Sequence, residues 1–309
     1  MATEGATRLR QLLKDPSHLV VCPGVYDGLT ARVALSMGFE ALYMTGAGTS
    51  ISRLGMADLG IATFNDMHEN AAMLAGLDRS VPLIADADTG YGGPIMASRT
   101  AEAYARAGVA ALHIEDQAQE KRCGHLGGKL IVPTEVYCSR IRAAVQARTR
   151  ICSDMLIIAR TDARQSLGFE EACKRLEAAV DAGADAVFLE GILSKEEGRK
   201  VCEIMGEKKG TEAWGEAGVP CLMNLVPGGV SPDMTVEEAR ELGFRIMIFP
   251  TIGIEGAIKG VKESMGLLKS DGRQKLEEGQ GVREAFKLAG LDHLMKIDDE
   301  AGGVNLKSA

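Results

Sequence analysis

Eight short apolar runs recur along the chain, and nearly all of them end in a polar residue or a glycine. Within each run apolar residues follow one another without strict alternation, which is typical of strands in a parallel sheet that is covered on both faces. The runs lie at residues 18–24, 41–48, 82–90, 111–117, 156–163, 186–192, 221–229 and 245–251. A sheet of such strands needs helices on its faces, so the segments between the runs must supply them.

Segments with helical spacing do separate the runs, for example LTARVALSMG, SRTAEAYARAG, FEEACKRLEAAVDAG and TVEEARELG. These four end in glycine shortly before the next run, as a helix C-terminus often does, at Gly38, Gly108, Gly183 and Gly243. Eight β/α units in about 250 residues predict an α/β protein with a (β/α)8 TIM barrel. The alternative is an open, doubly wound sheet, which usually has fewer strands and a dinucleotide-binding turn, but no GxGxxG follows the first run.

The last part of the chain contains two more helical patterns. IEGAIKGVKESMGLLKS fits the eighth helix of a barrel, whereas VREAFKLAGLDHLMKI is surplus to it. An amphipathic helix outside a closed barrel needs a surface to cover, and a subunit interface is the simplest one. We therefore predict a catalytic barrel domain at residues 1–270 and a C-terminal helical extension at 271–309, located at the subunit interface of an oligomer. The polar, Gly-rich stretch 205–218 predicts a surface loop.

Charge and composition limit the classes of molecule that the protein can bind. A net charge of −8 argues against nucleic acid or an anionic membrane as the partner. No apolar run approaches the ~20 residues that a membrane-spanning helix needs. The seven cysteines include no CxxC pair, which indicates reduced thiols in a reducing compartment. Because the amino-terminal residues lack the apolar core of a signal peptide, we expect a cytoplasmic protein with a small-molecule ligand.

In a TIM barrel the functional side chains lie at the C-terminal ends of the strands. The residues at those ends are rich in carboxylates and include one arginine and one amide: Tyr43, Thr45, Asp86, Asp88, His113, Glu115, Asp116, Arg160, Asp162, Glu190 and Asn224. Oxygen ligands of this kind suit Mg²⁺, with Mn²⁺ as a possibility, whereas the lack of a His/Cys cluster disfavours zinc. His113 is the exception in this set, since we expect it to pack against the barrel.

The segment ADADTGYGG is the most informative of these strand ends. Asp86 and Asp88 are two residues apart, so on a strand they project to the same face and repel each other unless a cation lies between them. Capping of the following loop is the alternative for an isolated pair, but Glu115 on the neighbouring strand favours a metal site. Arg160 fits either a structural ion pair or a bidentate clamp on a substrate carboxylate.

Residues 120–129, EKRCGHLGGK, place a cysteine in a flexible and cationic segment. Cys123 has Lys121, Arg122, His125 and Lys129 as cationic or potentially cationic neighbours, which favours a reactive or oriented thiol. The glycines 124, 127 and 128 predict a lid that closes over an anionic substrate. A solvated turn that happens to contain a cysteine is the alternative.

Taken together, these motifs resemble the isocitrate lyase/phosphoenolpyruvate mutase superfamily. The segments that carry the resemblance occur in order and cover residues from about 20 to about 250: PGVYDGLTARVA, YMTGAG, ADLG, ADADTGYGG, HIEDQ, KRCGH with LGGK, ARTDA and FLEG. The resemblance implies a barrel whose last helix is exchanged between neighbouring subunits, usually in a dimer of dimers, and therefore a homotetramer.

The resemblance also implies roles for individual residues. Asp86 and Asp88 belong to a Mg²⁺ site, with Asp58 and Glu115 around the metal and its waters. The substrate's oxyacid end is held by Tyr43, Thr45, Gly46 and Ala47, and the rest of it lies among Arg160, Glu190, Asn224 and Pro250. The gating loop carries Cys123 together with Lys121, Arg122 and His125 as catalytic residues, and Tyr43 is one candidate for the base.

The implied reaction is Mg²⁺-dependent cleavage of a branched 2-hydroxy dicarboxylate, of the 2,3-dimethylmalate or 2-methylisocitrate type. The products are a 2-oxo acid such as pyruvate and an enediolate that Cys123 protonates; the mutases of the superfamily lack this cysteine. Hydrolysis of oxaloacetate to oxalate and acetate is the alternative, but that branch carries a serine at a pocket position near the eighth strand, where this chain has Pro250 and Thr251, and this difference favours the lyase. A catalytically silent scaffold is a third interpretation, which the intact acidic set and cysteine loop argue against.

Overall fold

Eight parallel strands form a closed barrel in which each strand pairs with its neighbours in the chain and the last strand pairs with the first. The computed structural model describes residues 4–124, 126–208, 214–274 and 281–303. The strands are β1 (Val20–Val25), β2 (Leu42–Met44), β3 (Leu83–Asp86), β4 (Ala111–Glu115), β5 (Leu156–Thr161), β6 (Ala186–Leu189), β7 (Cys221–Asn224) and β8 (Ile246–Phe249). They coincide with the eight apolar runs, so the predicted TIM barrel is confirmed.

Helices follow the strands as the spacing predicts. In the described residues they are α1 (Gly5–Leu13), α2 (Gly28–Ser36), α3 (Gly46–Thr49), α4 (Phe64–Leu77), α5 (Pro94–Ala107), α6 (Thr134–Arg150), α7 (Arg164–Leu167), α8 (Phe169–Asp181), α9 (Lys195–Glu207), α10 (Val236–Glu241), α11 (Ile252–Asp271), α12 (Val282–Leu288) and α13 (Leu291–Glu300). The four glycines predicted to end helices all have left-handed φ angles, between 79° and 103°. No helix in the described part of the chain has both the length and the apolarity to span a bilayer.

Helix α1 covers the N-terminal end of the barrel. Its residues Leu9 and Leu13 are fully buried in one cluster with side chains of the barrel interior such as Ile84 and Phe188. Trp214 joins this cluster, and its Nε1 donates a hydrogen bond to the carbonyl of Asp185 at 2.8 Å. The predicted surface loop at residues 205–218 is therefore wrong for two described parts: α9 continues to Glu207, and Trp214 is buried. Residues 209–213 lie outside the described part.

Helix α11 follows β8 directly, as the sequence pattern predicts, but it does not pack as the eighth helix of its own barrel. Of its 20 residues only Ile254 is buried. A groove of about 430 Å³ lies between α2 and the first turns of α11, and it is lined mainly by apolar side chains such as Leu29, Val33 and Met37. The position beside α2 is therefore open in the isolated chain, because α11 contributes only its beginning to it.

Candidate active site

A pocket opens among the residues that follow the C-terminal ends of the strands. It is lined by Tyr43, Thr45, Ala47, Asp58, Asp86, Cys123, Gly124, Arg160, Glu190, Asn224, Val226, Pro250 and Thr251. Ten of these thirteen residues were predicted from sequence as site residues. They come from segments distributed over most of the barrel, and they meet because parallel strands of a closed barrel all end at one rim.

Asp86 and Asp88 lie close together, although not by the strand geometry that the sequence suggested. Strand β3 ends at Asp86, and Asp88 has a left-handed φ of 46°, which is uncommon for a residue with a side chain. The backbone N–H of Asp88 donates a hydrogen bond to Asp86 Oδ1 at 2.9 Å. The alternation of a strand is therefore the wrong reason for their proximity, and a tight turn that Asp86 itself stabilises brings them together. Strained backbone of this kind is concentrated at functional sites.

Lys121 reaches from the cysteine loop into the acidic cluster. Its Nζ lies 2.5 Å from an oxygen of Asp58 and 2.5 Å from an oxygen of Asp88. Burial alone would lower the pKa of Lys121, but Asp88 and Asp58 raise it well above its ordinary value, so the ammonium keeps its charge. Burial raises the pKa of Asp88 to about 7, because Lys121 only partly offsets the burial and the nearby Asp86. The positive charge of Lys121 therefore does not balance the negative charge of the carboxylates in the acidic cluster.

Arg160 lies at the end of β5 and holds several carboxylates at once. Its Nε and Nη2 donate to the two oxygens of Asp162 at 2.9 and 3.1 Å. The same guanidinium lies 3.3 Å from Glu115 and 3.4 Å from Glu190. Asn224 fixes Glu190 in turn by donating from Nδ2 at 3.0 Å. Arg160 therefore forms a structural ion pair and also lines the pocket, while the clamp on a substrate carboxylate stays a prediction.

His113 lies inside the barrel directly beneath the pocket, where sequence reasoning expected only a packing role. Its Nε2 is 2.9 Å from Tyr43 Oη, and its Nδ1 is 3.6 Å from Asp86 without a hydrogen-bond partner among the described residues. Burial lowers the pKa of His113 to about 4, which keeps the imidazole neutral. A signal was present in the sequence, since His113 precedes Glu115 by two residues on β4 and therefore shares its face.

The turn between β2 and α3 forms one side of the pocket. Thr45 caps α3 by accepting a hydrogen bond from the backbone N–H of Gly48 at 3.3 Å. The first amides of a helix have no partner within it, so those of Gly46 and Ala47 are available to an anion. Gly46 also admits Asp86, because a Cβ on this glycine would lie 2.3 Å from Asp86 Oδ2.

The cysteine loop lies against the pocket, and three consecutive residues of it are each held by a different segment. The side-chain amide of Gln117 bonds both backbone groups of Arg122, at 2.8 and 3.0 Å. The N–H of Cys123 donates to the carbonyl of Asp58 at 3.2 Å, and Lys129 Nζ donates to the carbonyl of Gly124 at 2.5 Å. Neither Gln117 nor this use of Lys129 was recognised from sequence, because both depend on the folded path of the loop.

Gly124 packs directly on the pocket. A Cβ at this position would lie 2.6 Å from Arg160 Nη2 and 2.7 Å from Glu190 Cδ. The guanidinium of Arg122, by contrast, is exposed and donates to the carbonyl of Gly127 at 3.1 Å, away from the pocket. His125, the remaining predicted catalytic residue of the loop, lies outside the described residues. The loop as described leaves an internal pocket volume of only about 50 Å³.

The donor set fits a hard divalent cation. Asp58 and Asp88 pair with Lys121, and Glu115 and Asp86 also act on its charge. Burial raises the pKa of Glu115 as well as that of Asp88. In the described residues, no group of three or more His, Cys, Asp or Glu side chains is arranged so that it could hold a metal ion. Mg²⁺ does not need such a group, since it typically takes one or two carboxylates and keeps several waters.

Comparisons with known proteins agree with this geometry. The family model described as phosphoenolpyruvate phosphomutase matches residues 9–268. A 2,3-dimethylmalate lyase from Eubacterium barkeri is 40% identical over 268 residues, which cover 86% of this chain and 86% of the relative. The solved structure of a 2,3-dimethylmalate lyase, described as a PEP mutase/isocitrate lyase superfamily member, is 52% identical and has a TM-score of 0.93, covering 99% of this chain and 98% of its own.

Two further solved structures are similar to this chain. An oxaloacetate acetylhydrolase in complex with 3,3-difluorooxalacetate is 49% identical, with a TM-score of 0.91 and 98% of both chains covered. A phosphonopyruvate hydrolase in complex with oxalate and Mg²⁺ is 25% identical, with a TM-score of 0.80, covering 96% of this chain and 99% of its own. Overall identity thus separates this chain clearly from the phosphonopyruvate hydrolase, but barely separates the lyase from the acetylhydrolase.

Proposed function

The chain belongs to the phosphoenolpyruvate mutase/isocitrate lyase superfamily and is an enzyme of its lyase group, and from that premise we propose that it is a Mg²⁺-dependent carbon–carbon lyase. Its substrate is a branched 2-hydroxy dicarboxylate of the 2,3-dimethylmalate or 2-methylisocitrate type. The reaction breaks the C2–C3 bond and releases a 2-oxo acid such as pyruvate together with a second carboxylic acid.

The observation that carries this proposal is the position of Cys123. The cysteine lines the same pocket as Asp86 and Arg160, so a proton donor and an anion-binding cation face one small space. A thiol carries a proton that it can give to a carbanion, so Cys123 can act as a general acid in this position. Cleavage that leaves a carbanionic product requires such an acid, whereas phosphoryl transfer within a mutase does not.

The acidic cluster supplies the cofactor site. Asp86 and Asp88 would hold Mg²⁺, with Asp58 and Glu115 around it and its waters. When bound, the divalent cation polarises the C2 hydroxyl and the adjacent carboxylate and offsets the charge of the enediolate. The excess of buried carboxylates over cations in this cluster supports the assignment.

The remaining residues bind the substrate and move protons. The amides of Gly46 and Ala47 hold the carboxylate next to C2, and Arg160 stabilises the charge that develops on the departing enediolate. Burial raises the pKa of Tyr43 well above its ordinary value, so Tyr43 is a neutral phenol. Tyr43 Oη lies 2.9 Å from His113 Nε2 at the edge of the pocket, and Tyr43 is one candidate for the group that takes the C2 hydroxyl proton.

C2 becomes a ketone as the C2–C3 electron pair moves to C3 and its carboxylate, which forms the enediolate. Cys123 gives its proton to C3 and becomes a thiolate. The proton that left the C2 hydroxyl restores the thiol before the next turnover, so no external oxidant or reductant is needed.

Hydrolysis of oxaloacetate to oxalate and acetate is the second candidate. Pro250 lies in the pocket where the hydrolase branch is expected to carry a serine hydroxyl, which favours the lyase. The neighbouring Thr251 also lines the pocket, however, and its Oγ1 is buried without a hydrogen-bond partner in the described part of the chain. This hydroxyl could take the place of the serine, and it is the specific reason for keeping the hydrolase as an alternative.

Product analysis separates the candidates. The purified enzyme is incubated with Mg²⁺ and, in separate reactions, with 2,3-dimethylmalate, 2-methylisocitrate or oxaloacetate, and pyruvate and oxalate are quantified. Pyruvate from either of the first two, abolished by a chelator and restored by Mg²⁺ or Mn²⁺, supports the lyase. Oxalate from oxaloacetate alone assigns the chain to the hydrolase, and a Thr251→Val variant that lost this activity would identify the hydroxyl responsible.

We propose a homotetramer, arranged as a dimer of dimers, as the working assembly. The exposed α11 and the apolar groove beside α2 are complementary features of one chain, and exchange of α11 between two copies would cover both. The seven cysteines form no disulfide, which supports a cytoplasmic location for this assembly. Size-exclusion chromatography with light scattering measures the mass directly.

A further inference from the structure

We propose that Lys129 is a positioning residue that holds the Cys123 loop in its closed arrangement by joining the loop to the rim of the barrel. This role deepens the proposed function, on which its kinetic consequence rests. The structural consequence, the accessibility of the Cys123 thiol, is independent of which substrate the enzyme uses.

The geometry places the Lys129 ammonium between the loop and the barrel. Its Nζ donates to the carbonyl of Gly124 at 2.5 Å and to Asp162 Oδ1 at 3.0 Å. The side chains of Lys129 and Asp162 are both buried, with exposed fractions of 3% and 0%. The peptide group that accepts this bond directly follows Cys123, so the contact fixes the backbone next to the thiol.

Asp162 is a rigid anchor for this contact. Its backbone N–H donates to Asp116 Oδ1 at 2.9 Å, and its carboxylate accepts two hydrogen bonds from Arg160. Asp116 is itself buried and accepts a hydrogen bond from Thr161 Oγ1 at 2.6 Å. The carboxylate that Lys129 contacts therefore cannot follow the loop when the loop moves.

The other attachments of the loop that the structure describes reach different neighbours. Lys121 pairs with Asp58 and Asp88 in the acidic cluster. Gln117 follows β4 and holds Arg122 from the stem of the loop, and Asp58 holds the N–H of Cys123 from the segment after α3. Of these contacts, the one made by Lys129 ties Gly124 to Asp162, which directly follows β5. This is the side on which Gly124 lies against Arg160 and Glu190 and closes the pocket.

The closed arrangement has to open during turnover. The internal volume of about 50 Å³ is far below the ~300 Å³ at which ligand pockets usually begin, so a dicarboxylate enters only after Gly124 withdraws. Withdrawal breaks the bond from Lys129 to Gly124. A buried ammonium needs its hydrogen-bond partners, so loss of the bond to Gly124 is unfavourable and Lys129 stabilises the closed loop. It thereby sets the fraction of closed enzyme.

The test measures alkylation of individual cysteines by N-ethylmaleimide in the full-length enzyme without substrate, with peptide mass spectrometry resolving each site. Cys152 is exposed and serves as the internal reference, whereas Cys173 is buried and reports on loss of the fold. We expect Lys129→Met, which keeps the length of the side chain and removes its charge, to increase the Cys123 rate at least tenfold. The Cys152 and Cys173 rates should stay unchanged.

Two matched variants complete the design. Glu120→Gln changes a charge at an exposed position of the same segment and should leave the Cys123 rate as in the wild type. Lys129→Arg keeps a cation and should restore part of the protection. If Lys129→Met also exposes Cys173, the fold is lost, and Lys129→Gln is judged by the same criteria in its place.

The kinetic readout follows once a substrate is known. Lys129→Met should lower kcat at least tenfold and change KM by less than threefold, because the thiol is misplaced while the groups that bind substrate remain. An unchanged Cys123 alkylation rate in a folded Lys129→Met enzyme would overturn the proposal. Absence of turnover on every substrate would refute the proposed function instead, and the alkylation result would remain valid.

Discussion

Replacing Gly46 with alanine tests the acidic cluster through a contact that is measured in the structure. The Cβ of alanine would lie 2.3 Å from Asp86 Oδ2, whereas ordinary contacts begin at 3.4 Å. The carboxylate must therefore retreat by about 1.1 Å, the difference between these two distances. It cannot do so without disturbing the hydrogen bond that Asp86 accepts from the backbone of Asp88 at 2.9 Å.

The magnitude follows from the cost of overpacking. An extra methyl group in a close-packed site costs about 1–3 kcal/mol. At about 1.4 kcal/mol for each factor of ten, this corresponds to roughly ten- to a hundredfold weaker binding of Mg²⁺ if Asp86 is a ligand. A displacement of about 1 Å in a reacting group has a comparable effect on turnover. We therefore expect Gly46→Ala to need more Mg²⁺ and to reach a lower maximal rate.

Isothermal titration calorimetry with Mg²⁺ measures the first effect, and the Mg²⁺ dependence of pyruvate release measures the second. Gly76→Ala is the matched control, because nothing lies within 4 Å of its added Cβ in α4. It should bind Mg²⁺ as the wild type does and be more stable by about 0.5–1 kcal/mol, as expected for glycine in a helix. Wild-type Mg²⁺ affinity and turnover in Gly46→Ala would show that Asp86 does not contribute to a metal site at this position.

Cys123→Ser should lower turnover by about a hundredfold or more, while the affinity for Mg²⁺ stays within twofold of the wild type. Loss of Mg²⁺ binding in this variant would show that the thiol belongs to the metal site. Burial lowers the pKa of His113 to about 4, whereas an exposed histidine titrates near ~6.5. Between these two pH values only the unfolded chain binds the proton, so the free energy of unfolding falls as the pH falls, by at most about 1.4 kcal/mol per pH unit. Urea unfolding at pH 7, 6 and 5 should show this loss in the wild type and a smaller one in His113→Gln; parallel curves would contradict a buried neutral imidazole. On α11, Ile258→Glu combined with Met265→Glu places charges on an exposed apolar helix and should reduce the particle mass measured by light scattering, whereas an unchanged mass would exclude helix exchange through these residues.

Much of the site could be predicted because the barrel places strand ends together by rule. Asp86, Arg160 and Glu190 are far apart in the chain, yet each follows an apolar run, and the closure of eight such runs brings their ends to one rim. The periodicity of the runs and the glycines at helix ends are local signals, so they can be read without knowing any tertiary contact. Membership of the superfamily rests on the same segments.

Other features of the site depend on contacts that no local pattern encodes. The left-handed turn at Asp88 forms because its N–H bonds to Asp86, and the two aspartates approach each other by that turn instead of by strand alternation. In the sequence, His113 is one of several residues in an apolar run. Closure of the barrel places its Nε2 atom 2.9 Å from Tyr43 Oη. Gln117 and Lys129 gain their roles only when the loop folds back over the pocket.

By itself, the sequence determined the eight-stranded barrel, the rim at which chemistry occurs and the acidic, thiol-bearing character of the site, because periodicity, helix ends and residue chemistry are properties of the chain alone. Only the tertiary structure decided that Lys121 lies between Asp58 and Asp88, that Lys129 joins Gly124 to Asp162, and that α11 remains exposed. The physical reason is that buried charges take their partners from whatever the closed fold brings within about 3 Å, and sequence separation does not predict that distance.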